Sequence, residues 1–401
     1  MPPLDRRSFL RSGAVASLGA GLLPLLAANA GAAAPRVERS VRLGRTDLKV
    51  SDIGFGCSRL KGQDDAVRYA PDQGITYFDT AESYTRGHSE ETLGRALQGV
   101  RDKVVLASKV EAAHDADQAS MMRSLEKSLR RLRTDWIDVY FNHAVNDPHR
   151  LYNPEWREFT LRATEAGKIR WRGMSGHGGR LVECLDYALD NDLVDVVLVG
   201  FHFGQDPAFH QRFTRTLDFV AIQTDLPRVL RKARKQDVGI VAMKTLRGAK
   251  LNDMRPFETG GASFAQAAFR WVFSSGLVDS LIVTMNKREQ IDEYLAASGW
   301  TAPRAADLPL LLAYEERHGA TQCRYGCNAC TDTCSAAVPI AEVLRARMYA
   351  EDYGDPALGR ETYAALGRPG AACAKCPAPT CACPFGLPVA TLTRRTDRLL
   401  G

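Results

Sequence analysis

Eight short, continuously apolar runs recur along the first three quarters of the chain, separated by amphipathic stretches. The runs are Ile53–Gly56, Ile75–Asp79, Val104–Ser108, Ile137–Phe141, Trp171–Ser175, Val194–Val199, Gly239–Met243 and Ser280–Val283. A strand covered on both faces has this character, whereas a strand with one wet face alternates. The separators carry a helical period. Met122, Leu125, Leu129 and Leu132 fall at spacings of three and four, with Arg and Lys between them, which predicts one apolar helix stripe. Ser89 precedes Glu90, Glu91 and Thr92 and is expected to cap another helix. Eight strand–helix pairs over roughly 250 residues predict a parallel (β/α)8 barrel. The alternative, an open doubly wound sheet, calls for a G-x-G-x-x-G turn after its first strand; "GFGCSRLKG" has glycines there without that spacing. Upstream, "VRLGRTDLKVS" predicts a hairpin turning at Arg45–Asp47 that closes the barrel floor.

Composition changes this picture at the two ends. The body is ordinary for a globular protein, with 45% hydrophobic and 25% charged residues in 401. The net charge of +6 is modest and both signs are mixed. The most basic run, Arg228 to Lys235, lies in a helix-like segment without aromatic interleaving, so it reads as a solvated helix face and not as a nucleic-acid patch. Ala14–Ala34 is the one long apolar segment; it contains Pro24, follows Arg6, Arg7 and Arg11, and offers an A-x-A site at Ala28 and Ala30. These features predict a signal peptide in place of a membrane anchor. Arg6-Arg7-Ser8-Phe9-Leu10 resembles the twin-arginine export pattern, which implies a cargo that folds before it crosses. Of ten cysteines, eight lie between Cys323 and Cys383. Cys57 and Cys184 stand apart and are expected to be buried packing residues.

Chemistry in such a barrel collects at the C-terminal ends of the strands. There the sequence places Asp79, Tyr84, Lys109 and His143. A free phenol, with a pKa near 10, is a poor acid at neutral pH, and a neighbouring ammonium is expected to lower that value. Lys109 can supply the ammonium, held by Asp79, while His143 orients a substrate oxygen and Tyr84 gives it a proton. Around these residues, "LGRTDLKVSDIGFGC", "GITYFDTAESYTRGHSEETLGRAL", "VVLASKV", "LRTDWIDVYFNH", "GKIRWRGMSGH", "GIVAMKTLRG" and "VDSLIVTMNKREQIDEYL" resemble the aldo-keto reductases, in order, over about residues 40 to 300. The resemblance implies hydride transfer between a nicotinamide and a carbonyl, with Asp79, Tyr84, Lys109 and His143 as the catalytic tetrad. It implies cofactor contacts from Ser175, from Met243 and Lys244 in place of the usual stacking aromatic, and from Asn286, Lys287, Arg288 and Gln290. The two cations at that late helix start point to NADP(H), with NAD(H) as the alternative. The longest loop, Gly204–Leu217, offers Phe209, His210 and Phe213 as substrate-pocket residues.

The tail carries Cys323-x3-Cys327-x2-Cys330-x3-Cys334 and Cys373-x2-Cys376-x4-Cys381-x-Cys383-Pro384. A weak repeat aligns "CSAAVPIA", from Cys334, with "CPFGLPVA", from Cys383. These runs resemble a two-cluster bacterial-type ferredoxin module. The resemblance implies two [4Fe–4S] clusters, one on Cys323, Cys327, Cys330 and Cys383, the other on Cys373, Cys376, Cys381 and Cys334. Two zinc sites of four cysteines each and a disulfide scaffold remain alternatives. Preassembled clusters are the passenger that a folded export route suits.

The expected organisation is a signal peptide over 1–34, a reductase barrel over 35–319 and an iron–sulfur domain over 320–401. The expected function is an exported, periplasmic oxidoreductase acting on a small carbonyl or alcohol and coupled to an outside redox partner protein. It is delivered by the twin-arginine machinery, with no nucleic-acid partner and no membrane insertion after cleavage. The alternative is an electron-transfer or interaction protein whose barrel is a scaffold.

Overall fold

Ten strands account for the predicted barrel and its floor. A computed structural model describes residues 34–177, 180–203, 225–246, 255, 258, 261, 263–318, 323, 329–351, 356–384 and 386–401. Residues 1–33 of the segment expected to be a signal peptide, Cys327 and the loop bearing Phe209, His210 and Phe213 lie outside these residues. Strands β1 (Ser40–Arg42) and β2 (Lys49–Ser51) pair antiparallel as the expected hairpin. Strands β3 (Ile53–Gly56), β4 (Tyr77–Asp79), β5 (Val105–Val110), β6 (Ile137–Asn142), β7 (Ile169–Gly176), β8 (Val196–Gly200), β9 (Gly239–Met243) and β10 (Ser280–Thr284) follow. They form one closed parallel barrel in which β10 pairs with both β9 and β3.

Side chains two apart on a strand share a face, and the barrel uses both faces. Tyr77, Val105, Ala107, Val139, Phe141, Val196, Leu198, Val241 and Ile282 form an interior cluster, joined by Leu43, Leu48 and Val50 from the hairpin at the floor. Phe55, Phe78, Leu106, Tyr140, Val197 and Ile240 belong to the larger outer cluster against the helices. This explains why the strands read as unbroken apolar runs. Gly94 lets the helix His88–Ala96 close on the end of Gln118–Leu132, because a Cβ there would lie 2.2 Å from the Arg131 carbonyl oxygen.

Three local expectations change. Ser89 does not cap its helix: Gly87, at φ 94°, holds the cap position. Ser89 is inside the first turn, bonded instead to the Cys57 carbonyl (2.8 Å) and the Thr80 hydroxyl (2.8 Å). Met121, not Met122, is the fully buried methionine of the next helix. The basic helix Leu226–Lys235 is ion-paired more than merely solvated, since Arg228 reaches Asp186 (2.6 Å) and Lys232 reaches Asp186 (2.9 Å) and Asp190 (2.8 Å).

The tail has its own core. Helices Ile340–Glu351, Pro356–Ala365 and Val389–Leu400 enclose Val343, Leu344, Tyr363 and Leu400, with Cys330 and Cys373 buried among them. The sequence repeat becomes a structural one. Each half turns after its cysteine through a left-handed residue, Ala337 (φ 49°) or Gly386 (φ 78°), and then starts a helix at Ile340 or Val389. Among the described residues no helix is long and apolar enough to cross a membrane.

Candidate active site and cysteine cavity

The interior register carries the candidate chemistry to the barrel mouth. Asp79 is two residues beyond interior Tyr77, and Lys109 two beyond Ala107. His143 follows Phe141 by the same step. Lys109 Nζ donates to Asp79 Oδ1 at 2.5 Å and to the Thr80 carbonyl at 2.5 Å, and both members of the pair are 1% exposed. Tyr84 sits in the turn after β4, its ring centroid 5.0 Å from Lys109 Nζ. The His143 ring meets Tyr84 edge to face, with centroids 5.5 Å apart. The structure thus brings all four candidates together.

Burial sets the electrostatics of this group. It pushes the Asp79 carboxyl up, against the pull of Lys109. Lys109 loses by burial and gains more from Asp79 and Tyr84, so its ammonium is held above the usual lysine range. Tyr84 corrects the sequence expectation: burial raises the phenol, and the lowering by Lys109 does not offset it. The His143 imidazole is pushed down to about 3 by burial and by the cations Lys109, Lys244 and Arg150. It therefore stays neutral at physiological pH and serves as a hydrogen-bonding group, not as an acid.

The His143 shift makes a stability prediction. An unfolded histidine takes a proton near pH 6.5, whereas folded His143 takes one only at about 3. The unfolded chain binds more protons between those values, so stability falls as pH drops through that window. His143→Gln is expected to lose about 2 kcal/mol less than wild type on acidification from about pH 6.5 to 4.5, measured by urea unfolding at each pH.

Arg150, which the sequence did not single out, fixes the His143 turn. It donates to Asn142 Oδ1 (2.7 Å) and to the carbonyls of His143 (2.9 Å), Ala144 (3.0 Å) and Ala112 (2.7 Å). Ser175, at the end of β7, accepts from the Ala144 amide at 2.9 Å. Met243 closes the interior cluster at the end of β9. Lys244 follows in a left-handed conformation, φ 59°, and burial together with Arg345 of the tail lowers it to about 7. Of the late-loop candidates, Gln290 accepts from the Asn286 amide at 2.9 Å, and Lys287 stands exposed at the helix cap. Arg288 is engaged elsewhere, paired with Asp65 and 5.0 Å from the Tyr69 ring centroid.

The buried atoms at this mouth call for a ligand. Among the described residues, His143 Nδ1, Asn142 Nδ2, Asn286 Oδ1 and Asp79 Oδ2 have no hydrogen-bond partner. Buried polar atoms in native proteins are nearly always satisfied. The residues present thus fit a polar, planar group with donors and acceptors of its own.

In the tail, Cys334, Cys373, Cys376 and Cys381 line one cavity together with Thr380, Ala390 and Arg394. Thr333 binds the two cysteine runs to each other: its carbonyl accepts from the Thr380 hydroxyl (2.7 Å), and its hydroxyl accepts from the Ala382 amide (3.1 Å). Burial and the facing thiols push Cys373 and Cys381 up. Cys323 and Cys383 pack on the tail core beside buried Cys330. Among the described residues Cys334, Cys373, Cys376, Cys381 and Cys383 form no disulfide, and Cys57 and Cys184 are buried as expected. Among the described residues, no three His, Cys, Asp or Glu side chains converge on a single-ion site.

Comparison with known proteins places the barrel. Residues 52–258 match the Aldo/keto reductase family, just over half of the chain. The "Uncharacterized oxidoreductase YqkF" of Bacillus subtilis is 29% identical over 182 residues, 42% of this chain and 58% of that protein. The "Aldo-keto reductase YhdN" of the same organism is 36% identical over 144 residues, 33% of this chain and 43% of that one. The chain therefore covers less than two thirds of either relative. A crystal structure of an aldo/keto reductase from Klebsiella pneumoniae, in complex with NADP and acetate, superposes with a TM-score of 0.52 at 26% identity, covering 70% of this chain and 96% of that one. The barrel, the grouped Asp79, Tyr84, Lys109 and His143, and these matches agree, and the chain belongs to the aldo/keto reductase family of oxidoreductases.

Proposed function

We propose that this protein reduces a small carbonyl compound, or oxidises the corresponding alcohol, with NADP(H), and exchanges electrons through iron–sulfur clusters in its tail. The observation that carries the reading is the Tyr84–Lys109–Asp79–His143 group at the mouth of a closed barrel. The Klebsiella relative with NADP supports the choice of nucleotide. A nicotinamide supplies hydride when bound, and an iron–sulfur cluster supplies one-electron transfer. Asn142, His143 and Asn286 would meet the nicotinamide nucleotide through their unpartnered atoms.

The chain's own residues handle the proton. Tyr84 is protonated at neutral pH, because burial holds it above its ordinary value. As negative charge develops on the substrate oxygen, the phenol gives up its proton to it. Lys109, fixed on Asp79, stabilises the phenolate left behind. Neutral His143 orients the substrate oxygen without competing for that proton.

The cysteine cavity favours a cluster over a zinc ion. A zinc ion needs four ligands within about 2.3 Å of one point, and no such convergence occurs among the described residues. A cubane cluster takes one thiolate per iron and spreads its ligands around a cavity, as Cys334, Cys373, Cys376 and Cys381 are spread. An iron core would take these side chains as thiolates and balance their charge. The second set proposed is Cys323, Cys327, Cys330 and Cys383.

The twin-arginine pattern supports export to the periplasm with clusters already in place. There the nucleotide would be held tightly and recycled through the clusters by a partner redox protein. Iron, acid-labile sulfide and nucleotide analysis of anaerobically purified protein tests the reading. Iron and sulfide in equal amounts, with bound or bindable NADP, are expected. Iron-free protein that binds no nucleotide would sink it.

A further inference from the structure

We infer that Arg394 sets the reduction potential of the cluster held by Cys334, Cys373, Cys376 and Cys381, by fixing a guanidinium charge beside those thiolates. The inference rests on the iron–sulfur reading above and assigns a residue that neither the cysteine pattern nor the family match identifies. Arg394 belongs to the closing helix Val389–Leu400 and lines the same cavity as the four cysteines. Its Nε donates to the Cys373 carbonyl at 2.9 Å and its Nη2 to the Cys376 carbonyl at 3.2 Å. These two bonds leave the side chain half-buried and little able to turn away. Among the described residues no carboxylate lines the cavity, so no acidic group of theirs neutralises the charge there.

The physics follows from the direction of electron flow. Reduction adds one electron, taken from an external low-potential donor, to an iron core already surrounded by four thiolates. No bond is made or broken and no proton moves. The added negative charge is stabilised by a nearby positive one, most strongly where water is excluded. Net charge and hydrogen bonding around the sulfurs are the means by which a protein places a cluster potential. A guanidinium does this independently of pH, because it does not deprotonate in proteins.

The internal repeat sharpens the assignment. Arg345 stands the same number of residues after Cys334 as Arg394 stands after Cys383. Yet Arg345 does not line this cavity; its charge acts on Lys244 and His177 of the barrel. The two halves have kept an arginine at one position and turned it to different surroundings.

The test uses the full-length holoprotein, purified anaerobically, in a dithionite titration with redox mediators followed by electron paramagnetic resonance. The relevant signal is the one lost in Cys376→Ser. Arg394→Gln is expected to keep its iron and sulfide and to weaken the electron affinity of that cluster about tenfold, a fall of about 59 mV for one electron. Arg394→Lys, which keeps the charge, is expected to recover most of the wild-type potential. An unchanged potential in Arg394→Gln would overturn the inference. So would an equal fall in Arg394→Lys, which would assign the effect to the two carbonyl bonds and not to the charge. Wild-type protein without iron or sulfide would remove the cluster reading itself, and this inference with it.

Discussion

Replacing Tyr84 by Phe is expected to reduce the rate of NADPH-dependent carbonyl reduction by about 10²–10⁴-fold, the usual contribution of a positioned general acid. The substitution removes one oxygen and little else. The ring that meets His143 edge to face remains, and Lys109 loses its bond to the phenol but keeps its bond to Asp79. Nucleotide binding, followed by fluorescence, and the visible spectrum of the clusters should be unchanged. That pattern, chemistry lost with binding and electron carriers intact, separates a working barrel from one that only supports the tail. A Tyr84→Phe enzyme within about threefold of wild type would favour the scaffold reading.

The second large effect concerns stability. Asp79 and Lys109 are both 1% exposed, so each charge depends on the other for compensation. Asp79→Ala leaves the ammonium in the barrel with only the neutral Thr80 carbonyl and Tyr84 hydroxyl as described partners. Breaking a buried pair in this way costs about 3–5 kcal/mol, which urea unfolding will show. Removing both charges together, as Asp79→Leu with Lys109→Met, is expected to restore most of that loss, because no uncompensated charge is left. The double variant should be folded, catalytically inert and more stable than Asp79→Ala alone. A single variant that lost less than about 1 kcal/mol would mean that water reaches the pair.

Much of this was legible in the sequence, for a definite reason. A strand covered on both faces is apolar at nearly every position, and eight such runs separated by helical spacing admit few arrangements other than a closed parallel barrel. The polar residues at the run ends then declare themselves as exceptions to that rule. What escaped was decided by partners distant in the chain. The exposed pairing of Arg288 with Asp65, 223 residues away, has no local signal at the helix start where the sequence places Arg288. Ser89 reads as a cap, yet the preceding turn enters through left-handed Thr85, Arg86 and Gly87, which local composition does not announce. Arg150 and Arg394 look like ordinary surface arginines in the sequence; only the folded chain turns them toward carbonyls of the site and of the cysteine cavity. The direction of the Tyr84 shift reads the wrong way in the sequence, since it is a contest between burial and one ammonium and burial wins.

The interior register of β4, β5 and β6 has a consequence for how such a site can vary. Asp79, Lys109 and His143 face inward because each stands an even number of steps from a residue that packs the barrel's centre. Deleting one residue within β5 would not simply weaken Lys109. It would transpose that strand's whole alphabet, presenting Ser108 to the substrate and driving the lysine among the apolar side chains of the surrounding helices. Point changes can retune this chemistry, but gains or losses of single residues within these strands erase it, so lineages that keep the activity are expected to vary in length in the loops and not in the staves.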